Sequence, residues 1–227
     1  MKTELLDYVL STLVLTLAVA FSGYVAFWLL AAATGPGLGP YGAVVDVLVF
    51  LLVFGLVCAA FARTVLRFYP LPPGRYAMTD RRFTAWKLYT VLYEFGCGAL
   101  KPFTVMFFRP LVQVLFGARI GKDTALGGKL VDPHLITLGD GAIVGEGSVV
   151  TAHAINSGEI VLGRVDIEPG ATVGVGAVIY PGVRVGAGAV VAANAVVLAG
   201  TQIPSGEFWA GIPAKPVRSV RDMALDS

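Results

Sequence analysis

Val173-Gly174-Val175-Gly176-Ala177-Val178-Ile179 and Val185-Gly186-Ala187-Gly188-Ala189-Val190-Val191 decide the fold. Each stretch opens on an aliphatic residue, follows it with Gly, sets a small residue four places on, and returns to an aliphatic residue at six. Stepping outward in sixes meets Ile120, Leu126, Asp132, Leu138, Val144, Val150, Asn156 and Leu162. One step of five reaches Ile167, and sixes resume through Val197 and Ile203; thirteen of these fifteen positions are aliphatic. Eighteen of the 28 glycines fall between Ile120 and Gly211. So much Gly penalises a helix. A fixed period this short points to stacked β runs with tight corners, in which no repeat can bury its apolar face alone.

Hexads of this kind, with the ending Trp209-Ala210-Gly211-Ile212-Pro213-Ala214-Lys215, resemble the hexapeptide-repeat acyltransferases. The resemblance covers about 120–218 and implies a left-handed parallel β-helix, three hexads per turn, assembled as a homotrimer with active sites between subunits. It also implies transfer of an acyl group, acetyl foremost, from coenzyme A or an acyl carrier protein.

The chain has two histidines, His134 and His153. Attack of an alcohol or amine on a thioester needs a base working near neutral pH, and imidazole suits that task. The stretch Gly139-Asp140 … Val150-Thr151-Ala152-His153 is similar to the family's Gly-Asp … Thr-His segment, which makes His153 the candidate general base. Asn156-Ser157-Gly158-Glu159 then interrupts the repeat, as active-site loops do. His134, three hexads earlier, could line the same corner one turn away. Base, acceptor-binding residue and structural residue all stay open for it. By resemblance, backbone N–H groups around Gly174, Val175 and Gly176 hold the oxyanion. The pantetheine arm passes Ala193 and Asn194 towards Ala214 and Lys215. Direct transfer in a ternary complex is expected, because no Ser-His-Asp or Cys-His arrangement is legible. A zinc site like that of the β-helical carbonic anhydrases needs three histidines, so no metal is expected.

The N-terminal part reads differently. No charged residue or His occurs from Tyr8 through Val45, 38 residues, or from Val47 through Ala62, 16 residues. Gly35-Pro36-Gly37-Leu38-Gly39-Pro40 breaks the first run, because Pro lacks a donor and Gly is loose. Two membrane helices, about 8–33 and 43–62, follow, with Asp46 at headgroup level. Arg63 through Lys122 holds ten Lys and Arg against Asp80 and Glu94 alone. Such a block stays cytoplasmic, giving a multi-pass protein of a bacterial-type inner membrane with both termini and the repeat domain inside. Residues 83–116 mix apolar and basic groups around Lys101-Pro102 and Arg109-Pro110, which suggests two short helices lying in the interface. Cys58 and Cys97 read as buried, inert thiols.

The expected organisation is a transmembrane hairpin at 1–69, interfacial amphipathic helices at 70–119, a β-helix acyltransferase domain at 120–213 and a tail at 214–227. With 56% hydrophobic and 14% charged residues, the composition excludes a disordered chain. The expected function is acyl transfer from acetyl-CoA to a hydroxyl of a lipid-associated or saccharide acceptor. An amine acceptor and a non-catalytic trimeric membrane scaffold are the alternatives. Nucleic acid is not an expected partner, since the basic block carries no reading motif.

Overall fold

A computed structural model describes residues 5–30 and 39–219. It has two compact units, Met1–Leu71 with Thr79–Thr104, and Pro72–Met78 with Val105–Ser227.

In the helical unit, α1 (Leu5–Gly23) runs on as a π-helical segment over Tyr24–Leu30, and a short turn at Gly39–Tyr41 leads into α2 (Gly42–Phe68). Asp7–Trp28 and Gly42–Phe68 are each long and apolar enough to cross a membrane. The break at Gly35–Leu38, the end of the first expected helix at 31–33 and the tail beyond 219 lie outside the described residues. Helix α3 (Arg81–Leu100) starts at Asp80, whose Oδ1 accepts from the Arg82 N–H at 2.8 Å. Its far end packs on α2 so closely that a Cβ on Gly55 would sit 2.4 Å from Leu100 Cγ. Lys87 pairs with Asp7 of α1, and its Nζ lies 4.6 Å from the centre of the Phe83 ring. Phe83, Tyr89 and Leu92 are fully buried.

This packing differs from the expected pair of interfacial helices. Residues 81–100 form one continuous helix that buries Phe83, Trp86, Leu88, Tyr89, Leu92 and Tyr93, with Lys87 held by Asp7 of α1 and Leu100 against Gly55 of α2. Helix α4 (Arg109–Leu115) belongs instead to the repeat unit. Cys58 is buried as expected, whereas Cys97 is partly exposed.

The repeat unit is a parallel β-solenoid of about five turns with three faces. The first face holds β2 (Arg119–Ile120), β5 (Ile136–Leu138), β10 (Val165–Ile167), β13 (Arg184–Val185) and β16 (Gln202–Ile203). The second holds β3 (Ala125–Leu126), β6 (Ile143–Val144), β11 (Thr172–Val173), β14 (Val190–Val191) and β17 (Glu207–Gly211). The third holds β4 (Lys129–Val131), β7 (Val149–Thr151), β12 (Val178–Ile179) and β15 (Val196–Val197). After a cis peptide at Ile212–Pro213, β18 (Ala214–Ser219) folds back antiparallel on β17.

Aliphatic residues stack in columns through the interior. One column is Leu126, Val144, Val173 and Val191, and another is Leu130, Val150, Ile179 and Val197; all are at most 2% exposed. Here the sixfold count needs correcting. Leu130, not Asp132, fills the third-face position of the first coil. The corner between Leu126 and Leu130 is two residues shorter than the one between Val144 and Val150 below it. Gly127 and Gly128 make that shortcut, and a Cβ on Gly128 would lie 2.2 Å from Ser148 Oγ. Arg109 of α4 secures it, with Nη1 donating to Gly127 O at 2.7 Å and Glu146 Oε2 at 2.9 Å. The two residues saved return at the next corner, where Pro133–Leu135 forms a 3-10 turn beginning at Asp132.

The second departure comes after β7. Strands β8 (His153–Asn156) and β9 (Glu159–Leu162) leave the coil as an antiparallel hairpin. Its two-residue turn places Ser157 at φ +38° and Gly158 at φ +92°. Positive φ at both positions is the twist that a tight hairpin favours, and Gly adopts it without strain. A third strand, β1 (Gly74–Ala77), pairs antiparallel with β9 and sets Tyr76 opposite Ile160. The expected interruption at 156–159 is thus the tip of an ordered three-stranded sheet, and Asn156 leaves the sixfold series because it sits on that hairpin.

Candidate active site

The corner between the third and first faces brings Asp132 and His153 together. Asp132 follows β4 with a left-handed backbone, φ +59°, which Asp and Asn tolerate better than most residues. Its carboxyl is buried, 2% exposed, and Oδ2 lies 2.5 Å from Nδ1 of His153. His153 opens β8 on the coil below, where β4 and β7 pair with Val131 opposite Thr151. Thr151 fixes the start of the excursion: its hydroxyl donates to His153 O at 3.0 Å, and its oxygen lies 3.3 Å from the His153 N–H. The imidazole is 22% exposed, enough for a reacting group to reach it.

A buried carboxylate only accepts hydrogen bonds. It therefore assigns the ring proton to Nδ1, which donates to Asp132, and the lone pair to Nε2. An acid that orients a histidine whose other nitrogen takes a proton is the working half of a proton-transfer site. Asp132 is the residue that sequence reasoning missed in this role. Its one trace in the sequence is that it breaks the aliphatic series; in the fold it is a buried polar residue at a corner, and such a residue calls for a partner.

His134 lies two residues on, inside the 3-10 turn, and is half-buried. Its backbone backs onto Gly117, where an added Cβ would meet His134 Cβ at 2.9 Å. The carboxylate at this corner serves His153. Asp140 caps another corner, accepting from the Lys122 N–H at 2.8 Å.

The expected donor-binding residues gather along a different edge, between the second and third faces. Gly174, Val175 and Gly176 stack directly on Ala193 and Asn194 of the next coil: a Cβ on Gly174 would be 2.5 Å from Ala193 N, and one on Gly176 2.3 Å from Asn194 Oδ1. The Asn194 N–H donates to Val175 O at 2.9 Å. One coil further, Ala214 and Lys215 pair with Gly211 and Ala210 of β17; Ala214 is buried and Lys215 exposed. The Gly174 and Gly176 N–H groups are spent on Val191 O and Glu146 O, at 2.8 and 3.1 Å. Among the described residues, the Val175 N–H makes no such bond, and Val175 is 58% exposed. Of the three N–H groups expected to hold the oxyanion, those of Gly174, Val175 and Gly176, two are thus committed within the solenoid. The edge stands one whole solenoid face from His153, roughly 15–20 Å at ~3.3 Å per strand residue. One chain by itself does not bring this edge and His153 together.

Residues 117–152 and 164–199 match the family described as "Hexapeptide repeat of succinyl-transferase", and the gap between the two matches takes in the β8–β9 hairpin. A delta-poly-L-ornithine synthetase from Acinetobacter baumannii is 26% identical over 109 residues, which is 48% of this chain and 8% of that protein's length. The structure of a hexapeptide-repeat acetyltransferase from Vibrio cholerae, solved with acetyl coenzyme A, is 29% identical; the match covers 45% of this chain and 60% of that one, with a TM-score of 0.42. A serine acetyltransferase from Brucella abortus is 18% identical over 92% of this chain and 69% of its own, with a TM-score of 0.39. Both family matches lie within the repeat unit, and together with its stacked hexads they show that this unit is built of hexapeptide repeats.

Proposed function

We propose that the protein is a membrane-attached acyltransferase that moves an acyl group, acetyl foremost, from coenzyme A to a hydroxyl of a lipid-associated or saccharide acceptor. The observation that carries this reading is the buried Asp132 carboxylate held against His153 Nδ1. His153 Nε2 takes the acceptor's proton as its oxygen attacks the thioester carbonyl. The new C–O bond forms, the C–S bond breaks, and the proton passes on to the departing thiolate. Asp132 keeps the ring in the productive tautomer and offsets the positive charge that forms on it.

The edge of Gly174–Gly176, Ala193, Asn194, Ala214 and Lys215 suits an extended pantetheine arm, with Lys215 placed for a coenzyme phosphate and the Val175 N–H for the oxyanion. Because that edge and His153 lie a face apart in one chain, a complete site takes its two halves from neighbouring copies, which supports the homotrimer. The two apolar helices support attachment to a bilayer, and the Arg63–Lys122 basic block supports a cytoplasmic placement of the repeat unit. The match to a poly-L-ornithine synthetase favours an amine acceptor as the second reading.

The test is incubation of the detergent-solubilised protein with acetyl-CoA and a total lipid extract, followed by mass spectrometry. An acetylated product that is absent with His153→Ala is expected. Acetyl-CoA left intact and unbound would refute the enzyme reading.

A further inference from the structure

At the end of the helical unit where α1 begins and α2 finishes lies a cavity of about 820 Å³. That size is usual for a site holding a small organic ligand. Leu10, Val65, Ala85 and Leu88 make apolar walls, while Thr84 and Arg81 bring polar groups. Arg81 is exposed and makes no ion pair among the described residues. The nearest carboxylate in sequence, Asp80, is committed to the Arg82 N–H. Arg81 and Thr84 stand three apart in the first turn of α3 and so face the same way. The helix N-terminus beneath them adds partial positive charge.

The mouth carries a second sign. Phe68 and Tyr69 border the cavity and are 75% and 55% exposed. Phe68 also ends the longer membrane-crossing candidate. Exposed aromatic rings at such an end mark the level where hydrocarbon gives way to headgroups. A ligand that satisfies all of these groups has an apolar chain for the walls and an oxygen-rich anionic head for Arg81 and Thr84.

We propose that this cavity binds one anionic phospholipid-type molecule, with its chain along Leu10, Val65 and Leu88 and its phosphate on the Arg81 guanidinium, which suits phosphate geometry. This rests on the membrane-attached reading above and deepens it by naming a class of lipid that the helical unit binds. A choline head is disfavoured, since it would set a cation beside Arg81 and Arg82.

The experiment is native mass spectrometry of the full-length, detergent-solubilised protein with dioleoylphosphatidylglycerol or dioleoylphosphatidylcholine. The expected result is at least fivefold more retained phosphatidylglycerol. Arg81→Gln should abolish that preference, and Ala85→Phe, which fills the cavity, should cut retention of both lipids. Equal retention of the two lipids would overturn the proposal, as would a preference untouched by Arg81→Gln. Displacement by glycerol phosphate alone would also overturn it, since the head would then bind without the chain. Circular dichroism checks that both variants fold. Acetyl-CoA binding, followed in the same samples, separates the two readings: its loss with the lipid preference intact sinks acyl transfer and leaves the cavity standing.

Discussion

Replacing Asp132 with Asn is the sharpest test of the proposed chemistry. The substitution keeps the size of the side chain, and Asn tolerates the φ of +59° as well as Asp does. What it removes is the charge behind the 2.5 Å contact to His153 Nδ1 at a site only 2% exposed. An amide can also present N–H to the ring and favour the wrong tautomer. A hydrogen bond to a charged group contributes about 1.5–3 kcal/mol. At about 1.36 kcal/mol per tenfold in rate, kcat should fall by roughly 10- to 150-fold. The KM for acetyl-CoA should barely move, because Asp132 acts through the imidazole and has no assigned contact with the donor. The assay follows free thiol released from acetyl-CoA in the presence of a lipid extract. Asp132→Ala should lose a similar amount of activity and also melt earlier, since Ala carries a left-handed penalty of about 1–2 kcal/mol. An Asp132→Asn protein within threefold of the unmodified rate, under conditions where His153→Ala is inactive, would refute the positioning role.

Other outcomes follow from the same geometry. His153→Ala should lower kcat by about 10²–10⁴-fold, the usual worth of a general base, while calorimetry finds acetyl-CoA binding unchanged. His134→Ala should leave turnover within a few-fold and instead lower the melting temperature; a loss matching that of His153→Ala would make His134 a partner in the chemistry. Gly176→Ala forces a Cβ towards Asn194 Oδ1 at 2.3 Å, at a φ of +69°. It should destabilise the fold and weaken acetyl-CoA binding, read from thermal melts and titration. Gly158→Val strains the hairpin turn at φ +92° and should reduce kcat more than donor affinity, which steady-state kinetics would separate.

The interior of the solenoid was legible in the sequence because each column needs the same thing at each level, an aliphatic residue, and supplies it at Val144, Val173 and Val191 alike. The excursion was legible as a broken rhythm at Asn156–Glu159. Its partner strand was not: Gly74–Ala77 lies 82 residues before Asn156 when counted from Gly74, and nothing periodic joins them. The role of Asp132 was hidden for a related reason. Two residues missing at Gly127–Gly128 shift the register, so counting in sixes put Asp132 inside the prism, when it turns the corner towards His153. Helix α3 misled through composition. Lys87 is one of the basic groups that suggest an interfacial helix, and only folding reveals that Asp7, eighty positions away, answers it.

Strand β1 makes the repeat unit discontinuous along the chain. The polypeptide visits the hairpin beside His153 at residues 74–77, returns to the helices for α3, and only afterwards winds the coils. A fragment cut at residue 105 would keep every coil and yet leave β9 as a bare edge, open to pairing with other molecules. The helices are therefore no detachable cassette: trimming them away also removes a plank from the floor on which the histidine stands.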